Sequence, residues 1–534
     1  MRQDVALTRA WGAVSRRSGH VHDGGSGDHR GLVSRRTALT GISAGAAAAL
    51  SAGWLAGCAS DGDGVAKGAN PSSSTASSVA ATPTVVPAAY DPSQPYWVQG
   101  NFAPVSVEET VTDLTVEGRL PRELNGLFAR NGSNTATGES LHWFLGDGMV
   151  HGVRLEDGKA LWYRNRWVQT PLQQAGKGLM DFGGVPGGAN NQSNVSVIHH
   201  AGKLLALGET GWPYELSTDD LSTVGAWNYD GRLGETMTAH PKIDPATGRL
   251  HFFGYEFLRP ALTYYSADAD GVLDTVVPIP VDTVTMIHDF AITESDVVFW
   301  IGPVVFGMDP SNPDATIPFH WDPDGPTRVG VMPLGGPAAE MRWVDIPTSF
   351  VFHGFNAHRD GDDIVSRVHK VPQAFGPMGD DLPVRLTEYR IGTGGEQLTF
   401  DQRELYDDSI DLPSFDRRLT GRPNDHGWFV TTTSDDAPYG FELSGICHLD
   451  LASQREDRWE PGPDVRGGEP YYVPAGDDAD EGDGWVMTYL WDRTTDRSSL
   501  GVFDAQDVAA GPIAEVQLQV RVPFGFHGTW VPST

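Results

Sequence analysis

The residues of this chain that could carry chemistry are mainly histidines. Fourteen of its 17 histidines lie beyond residue 58, whereas the whole chain has only two cysteines. Four histidines stand apart because each lies at the end of an apolar or aromatic run: His240, His288, His353 and His527. Imidazole nitrogen suits Fe, Zn, Cu and Ni, so ligand type alone would not identify a metal held by these side chains. Taken singly, a histidine in such a context is more often a turn or core residue.

Motifs of other enzyme classes are missing. The sequence contains no HExxH, no paired CxxC and no GxSxG in a strand–turn–helix context. The usual sequence evidence for a zinc protease or a serine hydrolase is therefore lacking. Gly-rich stretches such as Gly132–Ser133 are typical of turns rather than of phosphate loops.

Short strands would have to bring the four histidines together. Seven hairpin-like segments, each with a polar Gly- or Asp-bearing turn beside apolar alternating runs, have turns near residues 158, 202, 248, 295, 362, 427 and 484. Four-stranded propeller blades repeat every 40–50 residues or so, and insertions lengthen that spacing. The pattern predicts an all-β, seven-bladed β-propeller with helices confined to short insertions. Strand ends from different blades converge near a propeller axis, so four imidazoles could meet there around one metal.

The N-terminal region has the pattern of an export signal rather than of a folded domain. Arg35 and Arg36 form a twin-arginine pair before a weakly apolar Ala/Gly-rich segment that ends in Leu55-Ala56-Gly57-Cys58. Small residues before a cysteine resemble a lipobox, in which Cys58 would be lipidated; a transmembrane anchor is the alternative. We expect a signal peptide at 1–58, a flexible Ser/Ala/Pro linker at 59–95 and the propeller domain at 96–534. The protein would then be an exported lipoprotein on the extracytoplasmic face of the cell membrane.

The charge of the chain excludes one class of partner. With 38 Lys+Arg against 70 Asp+Glu, the formal charge is −32, whereas nucleic-acid binding needs a basic surface. Residues 1–58 contain seven basic and three acidic residues, so their removal would leave −36. A neutral substrate is favoured over an anionic one. The sequence indicates no obligate protein partner.

Ordered motifs along residues 96–534 resemble the carotenoid cleavage oxygenase family, which includes stilbene-cleaving members and the retinal pigment epithelial membrane protein. The motifs are LNGLFARNGSN (124–134), FLGDGMVHGVRLEDGKALWYRNRWVQT (144–170), LGETGWPYELSTDDLSTVG (207–225), TAHPKIDPATGRLHFFGYEF (238–257), IHDFAITESDVVFW (287–300), GGEPYYVP (467–474), EGDGW (481–485) and GFHGTW (525–530).

The resemblance implies a seven-bladed propeller with a short helical or loop dome over an axial metal site. It implies one non-haem Fe(II) per chain, held by His240, His288, His353 and His527. It also implies carboxylates that bind the outer nitrogens of the ligand histidines, with Glu209 and Glu469 at two of these positions. At the third position the chain offers Asp411, whose side chain is one methylene shorter than the glutamate of the family. Whether its carboxylate reaches the imidazole is therefore an open question.

The function that the resemblance implies is cleavage of a C=C bond of a hydrophobic conjugated molecule, with O2 as co-substrate, to give two carbonyl products. A carotenoid or apocarotenoid is the expected substrate. A stilbene-cleaving dioxygenase and a non-catalytic ligand-binding propeller lipoprotein stay open as alternatives. Aromatic residues that could line an apolar tunnel are Trp143, Phe144, Trp300, Phe306, Phe352 and Phe526.

Overall fold

The fold is known from a computed structural model. It describes Asp91 and residues 93–533, apart from Glu139, 179–186, Pro310, 313–314, 376–382 and 434–441. The predicted signal peptide, Cys58 and the linker up to residue 90 lie outside the described residues. In the described part of the chain, no helix is long and apolar enough to cross a membrane.

Strands dominate the described residues. The first half of the chain contributes β1 (Thr110–Val111), β2 (Thr115–Gly118), β3 (Gly126–Asn134), β4 (Asp147–Glu156), β5 (Lys159–Trp167), β6 (Ser196–His200), β7 (Lys203–Leu207), β8 (Tyr214–Leu216), β9 (Thr223–Ala226), β10 (Lys242–Ile243), β11 (Leu250–Tyr255), β12 (Leu262–Ala267) and β13 (Leu273–Ile279). The second half contributes β14 (Phe290–Ile292), β15 (Asp296–Ile301), β16 (Val304–Phe306), β17 (Phe319–Trp321), β18 (Arg328–Pro333), β19 (Arg342–Asp345), β20 (Phe350–Asp360), β21 (Asp363–Val371), β22 (Arg385–Gly392), β23 (Thr399–Glu404), β24 (Ile410–Ser414), β25 (His426–Thr433), β26 (Glu442–Asp450), β27 (Arg455–Trp459), β28 (Val465–Gly467), β29 (Tyr471–Pro474), β30 (Gly484–Asp492), β31 (Arg497–Asp504), β32 (Ala514–Gln517) and β33 (Gly528–Pro532).

Helical structure is short, as the sequence predicts. The helix α1 spans Pro171–Ala175; the Thr170 side chain caps its first turn and Gly176 ends it in the left-handed conformation. The other helical pieces in the described residues are single 3-10 turns at Tyr96–Val98, Gly100–Phe102, Trp143–Leu145, Ala338–Glu340, Arg417–Leu419 and Val508–Ala510.

Seven antiparallel sheets form the blades of a β-propeller, which confirms the predicted fold. Blade 1 pairs β33, β3, β4, β5 and β1 in that order; blades 2 and 3 are β6–β9 and β10–β13. Blade 4 pairs β14, β15, β18 and β19, and the hairpin β16–β17 is inserted within it. Blades 5 and 6 are β20–β23 and β24–β27. Blade 7 pairs β28 and β29 with β30, followed by β31, β32 and β2.

The ring is closed by both ends of the described chain. The C-terminal strand β33 is the first strand of blade 1, whereas β2, the second strand in the chain, is the last strand of blade 7. First strands of neighbouring blades contact one another, as β14 does with β20, β20 with β24, β29 with β33 and β33 with β6. The first strands therefore surround the axis, and their ends are where side chains from several blades can meet.

The predicted hairpins fall one to each blade. Five of the seven predicted turns coincide with observed turns, for example those between β4 and β5 and between β20 and β21. The turns predicted near 427 and 484 are misplaced, because these residues already lie in β25 and β30 and the connections precede them. Apolar side chains of facing sheets fill the space between blades, as in the cluster of Phe253, Tyr264, Phe290, Phe299 and Phe350 from blades 3, 4 and 5.

Candidate metal centre

Four histidines from four blades meet at one end of the first strands. His240 precedes β10, His288 precedes β14 and His527 directly precedes β33, whereas His353 is the fourth residue of β20. These four residues belong to blades 3, 4, 1 and 5 respectively. The structure therefore places these four side chains near one another.

The imidazole rings are close enough to share one ion. Nε2 of His240 lies 3.1 Å from Nε2 of His288. The ligand nitrogens of His240, His353 and His527 lie within 4.8 Å of one another. The ring centroid of His240 lies 4.6 Å from the centroids of His288 and His527, and 5.4 Å from that of His353. Among the described residues, His240, His353 and His527 are a group whose nitrogens could together hold a metal ion, and His288 lies beside them.

Three carboxylates contact the outer nitrogens of three of these rings. Nδ1 of His353 lies 2.7 Å from Oδ1 of Asp411, and Nδ1 of His527 lies 2.7 Å from Oε1 of Glu469. Glu209 contacts Nδ1 of His288 and also accepts a hydrogen bond from the hydroxyl of Tyr255 at 3.1 Å. The shorter side chain of Asp411 therefore reaches its imidazole directly. Glu469 accepts a second hydrogen bond, from the Gly528 amide at 2.7 Å.

These contacts fix which ring nitrogens face the centre. A carboxylate beside Nδ1 favours the tautomer that carries its proton there, which leaves the Nε2 lone pair free to bind a metal. Lone pairs of several Nε2 atoms then converge, and a cation between them would relieve their repulsion. The donor set therefore fits a divalent transition metal.

Burial and the local charges set the protonation of the site. Burial lowers the pKa of His240 well below its usual value, and the three neighbouring imidazoles lower it further. Burial also disfavours protonation of His353, but Asp411 outweighs this effect and the pKa of His353 is raised. Burial would raise the pKa of Asp411, yet contact with His353 lowers it to about 2. Asp411 is thus a carboxylate that can hold an N–H of its histidine.

A row of phenyl rings lies beside the histidines. We call Phe352, Phe375, Phe144 and Phe526 the phenyl arc. The ring of Phe352 is 5.6 Å from His288, and successive centroids along the arc are 5.9, 6.3 and 5.7 Å apart. Two members directly precede the ligands His353 and His527. The arc gives the metal centre an apolar wall.

Most of the predicted tunnel residues lie in or beside this arc. Trp143 contacts Phe526 with a centroid distance of 4.6 Å, and Phe306 reaches the arc through Phe319. Trp300 does not belong to this group. Its side chain is buried in the cluster between blades 4 and 5, with Val298, Val329 and Val351 among its members.

Sequence reasoning missed several residues at the site. Phe375 lies outside the sequence motifs, and only tertiary packing brings it against Phe144 and Phe352. Asp289 and Lys242 lie one and two residues after ligand histidines, and form an ion pair of 2.7 Å. Their proximity in sequence to His288 and His240 is the signal that could have found them.

Comparisons with known proteins find similar sequences over most of the described residues. The family model described as retinal pigment epithelial membrane protein matches residues 102–532. The carotenoid cleavage oxygenase of Mycobacterium tuberculosis is 36% identical over 510 residues, which covers 83% of this chain and 98% of the relative.

Two solved structures are similar over the propeller. The lignostilbene dioxygenase of Pseudomonas brassicacearum has a TM-score of 0.75 at 30% identity and covers 82% of this chain and 99% of its own. Cobalt-substituted apocarotenoid oxygenase of Synechocystis has a TM-score of 0.71 at 25% identity and covers 80% of this chain and 97% of its own.

Proposed function

Because the chain belongs to the carotenoid cleavage oxygenase family, in which retinal pigment epithelial membrane protein is also placed, we propose that it is an iron(II) dioxygenase. Its substrate would be a carotenoid or apocarotenoid, cleaved at one C=C bond. The double bond would be replaced by two carbonyl groups, with both atoms of one dioxygen molecule consumed.

The observation that carries this proposal is the convergence of His240, His288, His353 and His527 with carboxylates behind three of them. An all-imidazole set leaves a divalent metal with its positive charge and with free coordination positions. Carboxylates at the outer nitrogens orient the rings and raise their basicity without occupying the metal.

One Fe(II) per chain fits this donor set, since neutral imidazole suits iron and the three carboxylates offset its charge. When bound, iron supplies dioxygen binding and activation, so the hard chemical step needs no acid–base side chain. The cobalt-substituted relative is in keeping with a divalent transition metal on this fold.

The protein side chains would orient the metal ligands, bind the substrate and shield the reacting carbons from water. Glu209, Asp411 and Glu469 keep protons on the outer Nδ1 atoms and so present Nε2 atoms to the metal. The phenyl arc excludes water from the reacting carbons and offers flat apolar faces to a conjugated chain. A neutral polyene also suits a chain with a formal charge of −32.

A hydroxystilbene is the second candidate substrate, because the lignostilbene dioxygenase of Pseudomonas brassicacearum is similar over nearly its whole length. A phenol would need polar side chains to hold its hydroxyl group. Of the polar residues in β5, Tyr163 is buried with its hydroxyl 2.9 Å from Nδ1 of His151, and Lys159 is exposed where β5 follows the turn from β4. A tyrosine that already has a partner and a lysine at a solvent-exposed turn do not form a Tyr–Lys pair that could hold a phenol, which favours the carotenoid class.

Aerobic incubation of iron-loaded protein with an apocarotenal and, separately, with a hydroxystilbene tests the proposal, with carbonyl products measured by mass spectrometry. We expect aldehydes from the apocarotenal and a far lower rate with the stilbene. Aldehydes from the stilbene alone would replace the carotenoid assignment. No product from either class at full iron occupancy would contradict dioxygenase function and favour a ligand-binding role.

We further propose export through the twin-arginine route and lipidation at Cys58, which would place the enzyme at the extracytoplasmic face of the cell membrane. The pair Arg35–Arg36 and the small residues before Cys58 support this placement. Substituting Cys58→Ser should release the protein from the membrane fraction, and substituting Arg35 and Arg36 by lysine should retain it in the cytoplasm. Unchanged membrane association of the Cys58→Ser variant would argue for a transmembrane anchor instead.

A further inference from the structure

A buried ion pair lies beside three of the four ligand histidines. Lys242 is two residues after His240, Asp289 directly follows His288, and Gly354 directly follows His353. Nζ of Lys242 lies 2.7 Å from Oδ1 of Asp289, and the Gly354 amide donates to Oδ2 of Asp289 at 2.7 Å. One carboxylate therefore joins blades 3, 4 and 5 next to their ligands.

Both oxygens of Asp289 accept hydrogen bonds. Oδ1 also accepts a hydrogen bond from the Phe290 amide at 2.7 Å, so the carboxylate is fixed to its own strand as well as to its two neighbours. The Asp289 side chain is only 2% exposed and that of Lys242 is 13% exposed. Position 354 has no room for a side chain, because a Cβ atom there would lie 2.6 Å from the indole of Trp300.

Stability alone is a weak reason for such a pair. Removing two charges from water costs several kcal/mol per ion, and a well-packed apolar pair is often as stable. In addition, Lys242 brings a positive charge towards a centre that would hold a cation. Asp289 compensates that charge, so the pair supplies fixed geometry without net charge.

We propose that Lys242 and Asp289 are positioning residues, which hold His240, His288 and His353 at the mutual spacing that a single metal ion requires. This inference rests on the proposed metal centre. Neither residue is a ligand, and each acts through the backbone that carries a histidine.

The test compares three variants with the wild-type full chain, using Co(II) as the probe. Affinity is measured by competition with a chelator, the visible spectrum of bound Co(II) reports its geometry, and Tm is recorded with and without metal. We expect Lys242→Met and Asp289→Asn to lose about 10–100-fold in Co(II) affinity and to show an altered spectrum. Lys242→Arg, which keeps the charge and can still donate to Asp289, should recover most of the affinity.

A matched control joins blades 4 and 5, two of the three blades that Asp289 links. Arg359, near the far end of β20, binds Asp296 of β15 through Nε at 2.6 Å and Nη2 at 2.5 Å, and Asp296 is 8% exposed on its side chain. Asp296→Asn removes an interblade ion pair of similar burial away from the histidines. We expect it to lower Tm while Co(II) affinity and spectrum stay as in the wild type.

The sign of the Lys242→Met effect separates geometry from charge. Removing a positive charge near a cation site would tighten metal binding if only electrostatics mattered. Unchanged or tighter binding of Co(II) by Lys242→Met, with a wild-type spectrum, would overturn the inference. An equal loss of affinity in Asp296→Asn would also overturn it, by showing a general effect of stability. If the wild-type protein itself bound no Co(II), the proposed metal centre would fail first and this inference would fail with it.

Discussion

Each of three histidines at the centre uses its two ring nitrogens for different partners. The Nδ1 atoms of His288, His353 and His527 meet carboxylates, so their Nε2 atoms face inward. The sequence motifs predicted these residues because motif and ligand are contiguous in the chain. The motifs could not predict whether the Asp411 carboxylate contacts His353, since that distance depends on how β24 and β20 pack.

The first prediction concerns Asp411. Substituting Asp411→Ala should weaken metal binding by about 10–100-fold, because His353 would lose the partner that sets its tautomer and orientation. Asp411→Asn keeps an oxygen acceptor without the charge and should lose less. Competition with a chelator measures both affinities. Wild-type affinity in Asp411→Ala would show that this carboxylate does not orient His353.

The second prediction concerns pH and Asp147. Burial raises the pKa of this carboxyl to about 6, above its usual value of 3.8. The folded state thus holds the proton more tightly than the unfolded chain, and stability falls as pH rises from about 4 to about 6. Asp147→Asn should therefore be more stable than wild type by about 1–3 kcal/mol at pH 7, with little gain at pH 4. Denaturant unfolding at both pH values checks this; an equal gain at both would contradict it.

At the scale of elements, the first strands of the blades decide where chemistry can occur. Alternation and turn residues predicted the hairpins, but not which strand of each sheet would face the axis. That choice follows from closure of the ring, which pairs β33 with β3 over a long sequence separation. The same closure brings the segment before β33 against blade 1, where Nη2 of Arg130 donates to the Pro523 carbonyl at 2.7 Å.

The third prediction concerns this segment. A Cβ atom at Gly525 would lie 1.5 Å from Nη1 of Arg130, so Gly525→Ala must displace either the guanidinium or the chain that leads to His527. We expect a loss of about 1–3 kcal/mol in unfolding free energy and weaker metal binding. Gly476→Ala is the control, since a Cβ atom there meets nothing within 4 Å. Equal behaviour of the two variants would contradict the expected clash.

At the scale of the whole molecule, strands from both ends of the described chain close the ring of blades. The C-terminal strand β33 completes blade 1, and β2 completes blade 7. The repeat spacing predicted seven blades because hairpins are local. Of the phenyl arc only Phe375 was not predicted, because it lies outside the sequence motifs and meets Phe144 through tertiary packing.

The fourth prediction follows from closure. Deleting residues 528–534 removes β33, leaves β3 without its partner on the axis side and frees the segment that carries His527. We expect a broad unfolding transition and loss of stoichiometric metal. Deleting only residues 533–534 should keep both properties. Cooperative unfolding without β33 would show that the ring does not depend on this strand.

The most direct test of the central claim is turnover of an apocarotenal by iron-loaded protein under ¹⁸O₂, with the products reduced at once to stop exchange with water. We predict two fragments that each carry one ¹⁸O atom, formed only when iron is present. His288→Ala should give neither bound iron nor product, whereas His358→Ala, at the far half of β20, should retain both. No cleavage by fully iron-loaded wild-type protein, or stoichiometric iron in His288→Ala, would contradict the four-histidine dioxygenase centre.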